Sequence, residues 1–358
     1  MGAIFGHLNI SDTDRVFATT PGQATIWQAV QDYLTAWNTE LNNATALFVD
    51  TVTANFKERY KLPGGGYLQR RNSEGRYGTV KPTGQWDVAY PLEDFGASMG
   101  WNDVDIAYMT VQELERTVLT ITAQSINTVR FEMLKALLNN TARTFVDPLN
   151  GSLTIQPLAN GDSVVYPPVQ GSDAEATETH YLESGYATAS ISDTNNPIKT
   201  IVDDLEEHFG VPTGGSNIAV MINNAETAKV TAITGFVPVS DRFVNPGDDT
   251  AVPTGLPSTL PGKVLGRLSG AWVLEWRRLP ATYMVGTHLD VPKPLKQRID
   301  PADTGLGVGL QLVATDDEFP FTQSFWRHRF GFGVGNRLNG VVMEMGTGGS
   351  YSIPTGYS

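Results

Sequence analysis

The sequence predicts an α+β protein in which one very long helix is combined with strand hairpins and a smaller region of alternating strands and helices. The long helix is predicted by an apolar stripe that begins after Thr110 and continues for about 30 residues at helical spacing. The hairpins are predicted by strand-like runs on either side of turn residues, and the alternating region by a buried strand between two short helices at residues 196–233. Apolar residues make up 41% of the 358, which suffices for a substantial hydrophobic core.

Charge and cysteine content limit the classes of function. With 25 basic and 38 acidic residues the chain has a formal charge of −13, so its surface as a whole repels phosphate backbones and anionic lipids. Because cysteine is absent, disulfides, thiolate metal sites and cysteine nucleophiles are excluded. The sequence has neither a signal peptide nor an apolar run long enough to cross a membrane, so we expect a soluble protein assembled in a reducing cytoplasm.

The first hundred residues divide into a helical arm and a long hairpin. Apolar residues recur at the spacing of a helical stripe from Thr25 to Tyr60, which predicts one long helix or two consecutive helices. We assign an N-terminal helical arm to residues 1–60. The next segment begins with a run of glycines and turns at Asn72–Gly75 before a second strand-like run, so we assign an extended loop, a basic β-hairpin, to residues 61–100.

This hairpin is basic although the chain is acidic. Between Lys57 and Lys81 seven lysine or arginine residues stand against two glutamates, a local charge of +5, so the rest of the chain carries −18. Three interpretations are open: a solvated basic surface, an arm that binds nucleic acid, and an arm that lies on the acidic surface of a neighbouring copy. Exposed ion pairs stabilise a contact by only about 0–1 kcal/mol each. Such an arm would therefore fix the position of one copy relative to the next, and would stabilise an assembly only through repetition over many copies.

A capping box begins the long helix. In Thr110–Glu113 the threonine and glutamate side chains can each accept a hydrogen bond from the other residue's backbone N–H group. The polar residues Gln124, Ser125 and Thr128 interrupt the heptads of a coiled coil, which favours a helix that lies across a sheet. After the helix come the strand-like run RTFVD and then SLTIQPL and SVVYPP, which flank a turn at Asn160–Asp162 and predict a second hairpin.

A short helix, a buried strand and another helix follow in the middle of the chain. Asn196 is placed to cap the first helix and Gly210 to end it. The apolar run Asn217–Asn223 predicts the strand, and residues 225–233 predict the second helix. A loop rich in proline and glycine at residues 240–262 is expected to project as a tip.

The last third of the chain consists of predicted strands, among them 264–268, 271–277, 295–299, 307–313 and the run FWRHRFGFGVGNRLNGVVMEM at 325–345. The glycine spacing in GLGVGL and GFGVGN resembles that of a dinucleotide-binding loop. Strand residues follow, however, where such a loop needs the N-terminus of a helix. We therefore predict a strand whose glycines leave space beneath the long helix, and no cofactor site.

No catalytic, cofactor or metal site is predicted elsewhere. None of the five histidines has the spacing of a metal-ligand pair, and the hydrolase and phosphate-loop motifs are absent. Adjacent acids at 203–204, 206–207 and 316–318 could bind Ca²⁺ or Mg²⁺, but neighbouring acids on a helix mostly face water. His208 is accordingly expected in a solvated or capping role.

The order of these elements resembles the major capsid proteins of tailed bacteriophages, which have the Hong Kong 97-type fold. The resemblance covers nearly the whole chain and includes PGKVLGRLSGAWVLEWRRLP, PLKQRID and RHRFGFGVGNRLNGVVM near the C-terminus. It implies an N-terminal arm at 1–60, an extended loop at 61–100, a peripheral domain at 101–189 with a spine helix at 110–140, an axial domain at 190–275, and returning strands of both domains at 276–358.

The resemblance implies a structural protein and not an enzyme, without cofactors. Hexamers and pentamers of the chain would close into an icosahedral head shell that encloses double-stranded DNA without sequence-specific binding and without contact to a membrane. Scaffolding, portal and decoration proteins would be its partners. Its location would be the virion, after assembly in the host cytoplasm.

Ten residues are predicted to contact neighbouring subunits. Most are basic residues of the hairpin or of the predicted strand at 325–345, where an acidic partner surface would attract them. The candidates are Lys57, Arg59, Arg70, Arg71, Arg76, Lys81, Trp86, Arg327, Arg329 and Arg337.

Two other functions are compatible with the sequence. An encapsulin, a cellular shell that encloses enzymes, would share the architecture and would differ in its cargo. A carbohydrate-binding or polysaccharide-active protein could use the seven Trp and twelve Tyr residues.

Overall fold

The computed structural model describes residues 45–61, 70–77, 85–209, 217–239, 262–316 and 321–358, together with residues 32, 34, 67 and 68. Within these residues helices are combined with several sheets, which confirms the predicted mixture of α and β structure. The chain divides into two compact units. The smaller unit is built mainly from residues 92–132 and 299–331, and the larger unit consists of residues 44–91, 133–298 and 332–358.

The described strands and helices are as follows. The strands are β1 (Val49–Thr53), β2 (Lys57–Lys61), β3 (Gln85–Ala89), β4 (Glu93–Asn102), β5 (Arg143–Asp147), β6 (Gly151–Ile155), β7 (Tyr181–Glu183), β8 (Ile218–Ile222), β9 (Val237–Pro238), β10 (Lys263–Leu268), β11 (Ala271–Glu275), β12 (Tyr283–His288), β13 (Leu295–Arg298), β14 (Leu310–Asp316), β15 (Phe321–Val334) and β16 (Val341–Glu344). The α-helices are α1 (Asp103–Tyr108), α2 (Val111–Leu138), α3 (Pro197–Phe209) and α4 (Asn224–Val230), and single 3-10 turns lie at Thr188–Ser190 and Ala302–Thr304.

The smaller unit is built on an antiparallel sheet. β15 lies between β14 and β4, and all 10 residues of β4 pair with it. Its core is made of Leu34, Met99, Val118, Ile121, Leu310 and Trp326. The face of α2 that carries Val118 and Ile121 therefore packs on the sheet. This agrees with the prediction of a helix that lies across a sheet and does not form a coiled coil.

The long helix begins as the sequence predicts. The backbone N–H of Thr110 donates to Glu113 Oε2 at 2.8 Å, and the backbone N–H of Glu113 donates to Thr110 Oγ1 at 3.3 Å. The helix then continues for 28 residues. Ser125, one of the polar interruptions, is buried and bonds through Oγ to Nδ1 of His328 in β15 at 2.8 Å. A polar residue on this face is thus satisfied by the sheet.

The larger unit contains a sheet of seven strands in the order β7-β16-β12-β8-β11-β10-β9. The central strand β8 is buried at every residue and pairs parallel to β11 and antiparallel to β12. Helix α3 packs on this sheet through Ile201 and Leu205, and Gly286 of β12 makes the close approach possible because a Cβ there would overlap Ile201. The predicted helix, strand and helix of this region are confirmed as α3, β8 and α4.

Asparagine side chains cap both helices of the larger unit's sheet region. Asn196 Oδ1 accepts from the backbone N–H of Lys199 at 3.1 Å, and Asn223 Oδ1 accepts from that of Ala225 at 2.9 Å. The predicted stop at Gly210 and the predicted tip at residues 240–262 lie outside the described residues, apart from Gly262.

The helix predicted to continue to Tyr60 is wrong for its last part. Residues 49–53 form β1, which pairs parallel to β13, and residues 57–61 form β2, which pairs antiparallel to β3. The β-branched residues of β1 favour a strand, and in β2 alternate side chains turn inward. The rest of the predicted arm lies outside the described residues, except for residues 32, 34, 45–48 and 54–56.

The extended loop predicted at residues 61–100 has other bounds. Its hairpin begins at Lys57 with β2 and returns with β3, whereas residues 93–102 form β4 of the smaller unit's sheet. The turn predicted at Asn72–Gly75 is confirmed. There the side chain of Asn72 accepts hydrogen bonds from the backbone N–H groups of Glu74 and Arg76, and Gly75 has a φ of +81°.

The second hairpin pairs different strands from those predicted. β5 pairs with β6 across a turn in which Asp147 Oδ1 accepts from the backbone N–H groups of Leu149 and Asn150, each at 2.9 Å. The run SVVYPP forms no strand and has one isolated bridge, at Tyr166. The chain does turn at Gly161, which has a φ of +74°, but the turn leads to a bridge between Asn160 and Thr179.

Among the described residues, no helix is both long enough and apolar enough to cross a membrane.

Candidate subunit interface: the basic hairpin and its base

The base of the hairpin neutralises two of its own cations. Arg59 in β2 bonds to both carboxylate oxygens of Asp87 in β3, at 2.6 and 3.1 Å, and Lys57 Nζ lies 3.2 Å from Asp87 Oδ2. These partners, Arg59 first, lower the pKa of Asp87 from 3.8 to about 2. Both basic side chains remain more than half exposed. Their ion pairs therefore connect β2 to β3, and Asp87 partly neutralises the positive charge that a neighbouring chain could contact.

Three basic side chains at the tip of the hairpin have no ion pair within the described part of the chain, and Lys61 at the end of β2 has none there either. Arg70, Arg71 and Arg76 are all exposed, and Arg71 lies over the turn at Gly75. Lys81 lies outside the described residues. The charge that the sequence predicted for the hairpin is thus presented mainly at its tip.

Large apolar side chains accompany the arginines at the tip. Tyr67 and Tyr77 are 70% exposed and Leu68 is 92% exposed. Sequence reasoning did not single them out, although three such residues between glycines and arginines are a signal for a contact surface. Apolar area of this kind is stabilised only when another surface covers it.

Trp86 is a core residue with almost no exposed surface that a neighbouring chain could contact. It is 4% exposed, stacks on Tyr60 at a ring distance of 5.2 Å, and meets the edge of Tyr166 at 5.3 Å. Its Nε1 donates to the backbone oxygen of Gly335 at 3.1 Å. The prediction that Trp86 contacts a neighbour is therefore corrected: its contacts hold the hairpin base to its own chain.

A second, partly buried contact fixes the inner face of β2. Tyr90 Oη donates to Glu58 Oε2 at 3.1 Å, and Lys296 Nζ lies 2.7 Å from the same oxygen. Burial acts to raise the pKa of Glu58, but Lys296, Asn55 and Tyr90 together hold it below its ordinary value. The carboxylate therefore stays charged and links β2 to β13.

Gly333 and Gly335 of GFGVGN leave space for the end of the hairpin and not, as predicted, for the long helix. A Cβ on Gly333 would lie 2.7 Å from Cδ1 of Tyr90 and 2.8 Å from the backbone oxygen of Ala89. A Cβ on Gly335 would lie 3.3 Å from Tyr90 Oη. These two glycines thus allow Ala89 and Tyr90, at the end of β3, to approach the end of β15 at backbone distance.

Arg337 is the most buried of the predicted contact residues, and its prediction is also corrected. Its side chain is fully buried. Nε donates to the backbone oxygen of Pro157 at 2.8 Å, and Nη2 donates to Leu158 O, Asn160 Oδ1 and Asp162 Oδ2 at 3.2, 3.1 and 2.8 Å. The guanidinium therefore fastens residues 157–162 to the turn that follows β15.

Arg327 and Arg329 lie on the outward side of β15, between the buried residues Trp326, His328 and Phe330. Arg327 Nη2 donates to the backbone oxygen of Leu306 at 3.2 Å. Arg329 Nη1 lies 3.1 Å from Asp300 Oδ1, and its Nε lies 3.8 Å from Asp94. Both arginines have partners in their own unit and are only partly exposed, so they are weaker candidates for a contact than the tip.

The side chain of His208 is buried, contrary to the prediction of a solvated role. It is 3% exposed, and burial lowers its pKa to about 4. Asp204, one turn earlier on α3, has a buried carboxylate oxygen, Oδ2, without a hydrogen-bond partner. Burial, followed by the charges of Glu207 and Glu178, raises the pKa of Asp204 to about 7. The sequence did not indicate this cluster, because Glu178 is distant along the chain.

The chain is similar in structure to phage proteins. A chain of the structure described as Mycobacterium phage Patience is 18% identical to it, with a TM-score of 0.68, and the match covers 100% of this chain and 99% of that one. This similarity shows a shared fold, and the resemblance to tailed-phage proteins inferred from the sequence is confirmed at that level.

Two other structures are more distant. "Asymmetric unit of bacteriophage PhiM1 mature capsid" has a TM-score of 0.49 at 10% identity and covers 82% of this chain and 85% of its own. "Capsid of native GTA particle computed with C5 symmetry" has a TM-score of 0.48 at 13% identity and covers 85% of this chain and 90% of its own. No protein-family model and no curated protein sequence matches the chain.

Replacing the buried guanidinium tests its structural role. Arg337→Met should lower the free energy of unfolding of the chain by about 3 kcal/mol, because Asp162 and the two carbonyl groups lose their buried cation. Urea denaturation followed by tryptophan fluorescence measures the change.

Arg327→Met is the matched control for this variant. Its side chain is only partly buried and bonds to one carbonyl group, so the loss should stay below about 1 kcal/mol. Equal losses in the two variants would show that Arg337 has no special structural role.

Proposed function

We propose that the chain is the major capsid protein of a tailed double-stranded DNA bacteriophage, and that its copies close into an icosahedral head shell as hexamers and pentamers. The proposal is supported most strongly by the fold that the chain shares, over its full length, with a phage protein. The order of elements in the sequence supports the same function, because it resembles that of Hong Kong 97-type capsid proteins.

The elements of the family can be assigned to the described structure within this proposal. The hairpin of β2 and β3 is the extended loop, and α2 is the spine helix of the peripheral domain. The seven-stranded sheet with α3 and α4 belongs to the axial domain. The assignment makes the hairpin the part of the subunit that reaches toward another copy.

The tip of the hairpin has the chemistry of a contact with an acidic protein surface. Its three exposed arginines are complementary to a body that carries a net negative charge, and Tyr67, Leu68 and Tyr77 offer apolar area for burial. Each exposed ion pair contributes only about 0–1 kcal/mol, so the tip acts through register and through repetition around the shell. We therefore favour the neighbouring copy over nucleic acid as its partner.

The acidic surface also suits a container of DNA. A strongly negative subunit does not adhere to phosphate backbones, so DNA can be packed inside without sequence-specific binding. In this proposal the protein is structural and not an enzyme, its location is the virion, and assembly takes place in the host cytoplasm. Scaffolding, portal and decoration proteins are further partners in this proposal.

Assembly of the purified chain tests the proposed function. Light scattering and negative-stain microscopy over a range of salt concentrations should detect closed particles under at least one condition. A monodisperse monomer of 38.8 kDa under every condition would contradict the proposal. Particles from the native source should contain DNA; enzyme cargo instead would favour an encapsulin.

Charge reversal tests the role of the tip. The triple variant Arg70→Glu, Arg71→Glu and Arg76→Glu should fold normally, because all three side chains are exposed, but its yield of particles should fall at least tenfold. Particle yield is measured by sedimentation and folding by circular dichroism.

The same three positions supply the control. Replacement by lysine keeps the charge and should preserve assembly. If the glutamate variant assembles as well as the parent, the tip is not an electrostatic contact. If the lysine and glutamate variants fail equally, the shape of the arginines matters and not their charge.

A further inference from the structure

A histidine and two glutamates converge in the larger unit, away from the hairpin. Ligand atoms of Glu178, Glu207 and His208 all lie within 4.8 Å of one another, and His208 Nε2 is 3.6 Å from Glu207 Oε1. Two of the residues are neighbours on α3, and Glu178 belongs to the segment before β7. Residues distant along the chain thus bring their ligand atoms together.

The histidine has one ring nitrogen without a hydrogen-bond partner in the described part of the chain. Its side chain is 3% exposed, and Nε2 makes no hydrogen bond although it is buried. A buried ring nitrogen without a partner is costly unless a ligand satisfies it. Glu207 Oε1 lies 3.6 Å from Nε2, longer than a hydrogen bond, and a carboxylate oxygen of Glu178 lies within 4.8 Å of the ligand nitrogen of the ring.

The backbone on both sides of this cluster is fixed. The backbone oxygen of Glu207 accepts from the N–H of Gln170 at 2.9 Å, and that of Glu178 accepts from the N–H of Gly161 at 2.8 Å. Nearby, His180 is fully buried, packs its ring 5.3 Å from that of His208, and bonds through Nδ1 to the backbone oxygen of Gly340 at 2.9 Å. The ligand-bearing segments are therefore held in place before any ion binds.

We propose that Glu178, Glu207 and His208 form a binding site for a divalent transition-metal ion, with Zn²⁺ the best match. Zn²⁺ binds both imidazole nitrogen and carboxylate oxygen, whereas Ca²⁺ and Mg²⁺ prefer oxygen ligands alone. In a tetrahedral site, ligand atoms about 2.0–2.2 Å from the metal lie about 3.3–3.6 Å apart. The distance of 3.6 Å between His208 and Glu207 already agrees with this value.

The remaining geometry requires only small movements. Glu207 is 41% exposed at its side chain and Glu178 is half-buried, so both can move inward and an ion can enter from solvent. Asp204, one turn before Glu207 and His208 on α3, supplies a further carboxylate on the same side of the helix. Such an ion would connect α3 to the segment before β7 and neutralise the acids that meet there.

Calorimetry with ZnCl₂ tests the proposal on the full, untagged and unassembled chain after treatment with a chelator. One Zn²⁺ per chain should bind, and an equal concentration of Mg²⁺ should not displace it. His208→Asn, Glu207→Gln and Glu178→Gln should each weaken binding at least tenfold. Glu178→Gln lies on a different segment at a partly exposed position, so it serves if the buried histidine variant fails to fold.

Glu206→Gln is the matched control, because it removes the same charge from the neighbouring position on α3 and should leave binding unchanged. Three results would overturn the proposal: no binding of Zn²⁺ by the parent chain, displacement by equal Mg²⁺, or the same weakening in Glu206→Gln as in Glu207→Gln. None of them depends on whether the chain assembles, so the site and the proposed function are tested separately.

Discussion

The contact between the base of the hairpin and the turn after β15 is the constraint on which the proposed function depends. Trp86 lies between two tyrosine rings and donates to the backbone of Gly335, 249 positions further along the chain. Beside it, Arg337 fastens residues 157–162 to the same turn. A hairpin whose base is held by buried contacts can present its tip in a defined direction, which a contact with another copy requires.

The distribution of charge follows from the same arrangement. Asp87 partly neutralises the cations of the base, Asp300 faces Arg329, and Asp162 faces Arg337. The three exposed arginines at the tip have no such partner within the described residues. The local charge of +5 therefore does not form a single patch. The cations at the base of the hairpin stabilise the chain's own fold, whereas the arginines at the tip are available to another surface.

Features that depend on nearby residues were predictable from the sequence. The capping box of α2, the asparagine cap and apolar face of α3, and the turn at Asn72 are each determined within a few positions. Features that depend on distant partners were not. The helical stripe before Tyr60 did not indicate that β1 pairs with β13. The turn at Gly161 did not indicate that Asn160 forms a bridge with Thr179.

The candidate sites show the same limit. An arginine in the sequence indicates charge but not burial, so the sequence does not distinguish the buried Arg337 from the exposed Arg71. The partners of Arg337 are 175 to 180 positions away, and Glu178 is 29 to 30 positions from the residues that it meets on α3. Only the exposed apolar residues at the tip offered a local signal that could have been used.

The absence of cysteine allows one direct measurement of the central claim. Ser73→Cys places a single thiol at the exposed tip of the hairpin, and its rate of maleimide labelling can be compared in unassembled subunits and in assembled particles. If the tip lies on a neighbouring copy, assembly should slow labelling at least tenfold. Equal rates in subunits and particles would contradict the proposal that the hairpin connects one copy to the next.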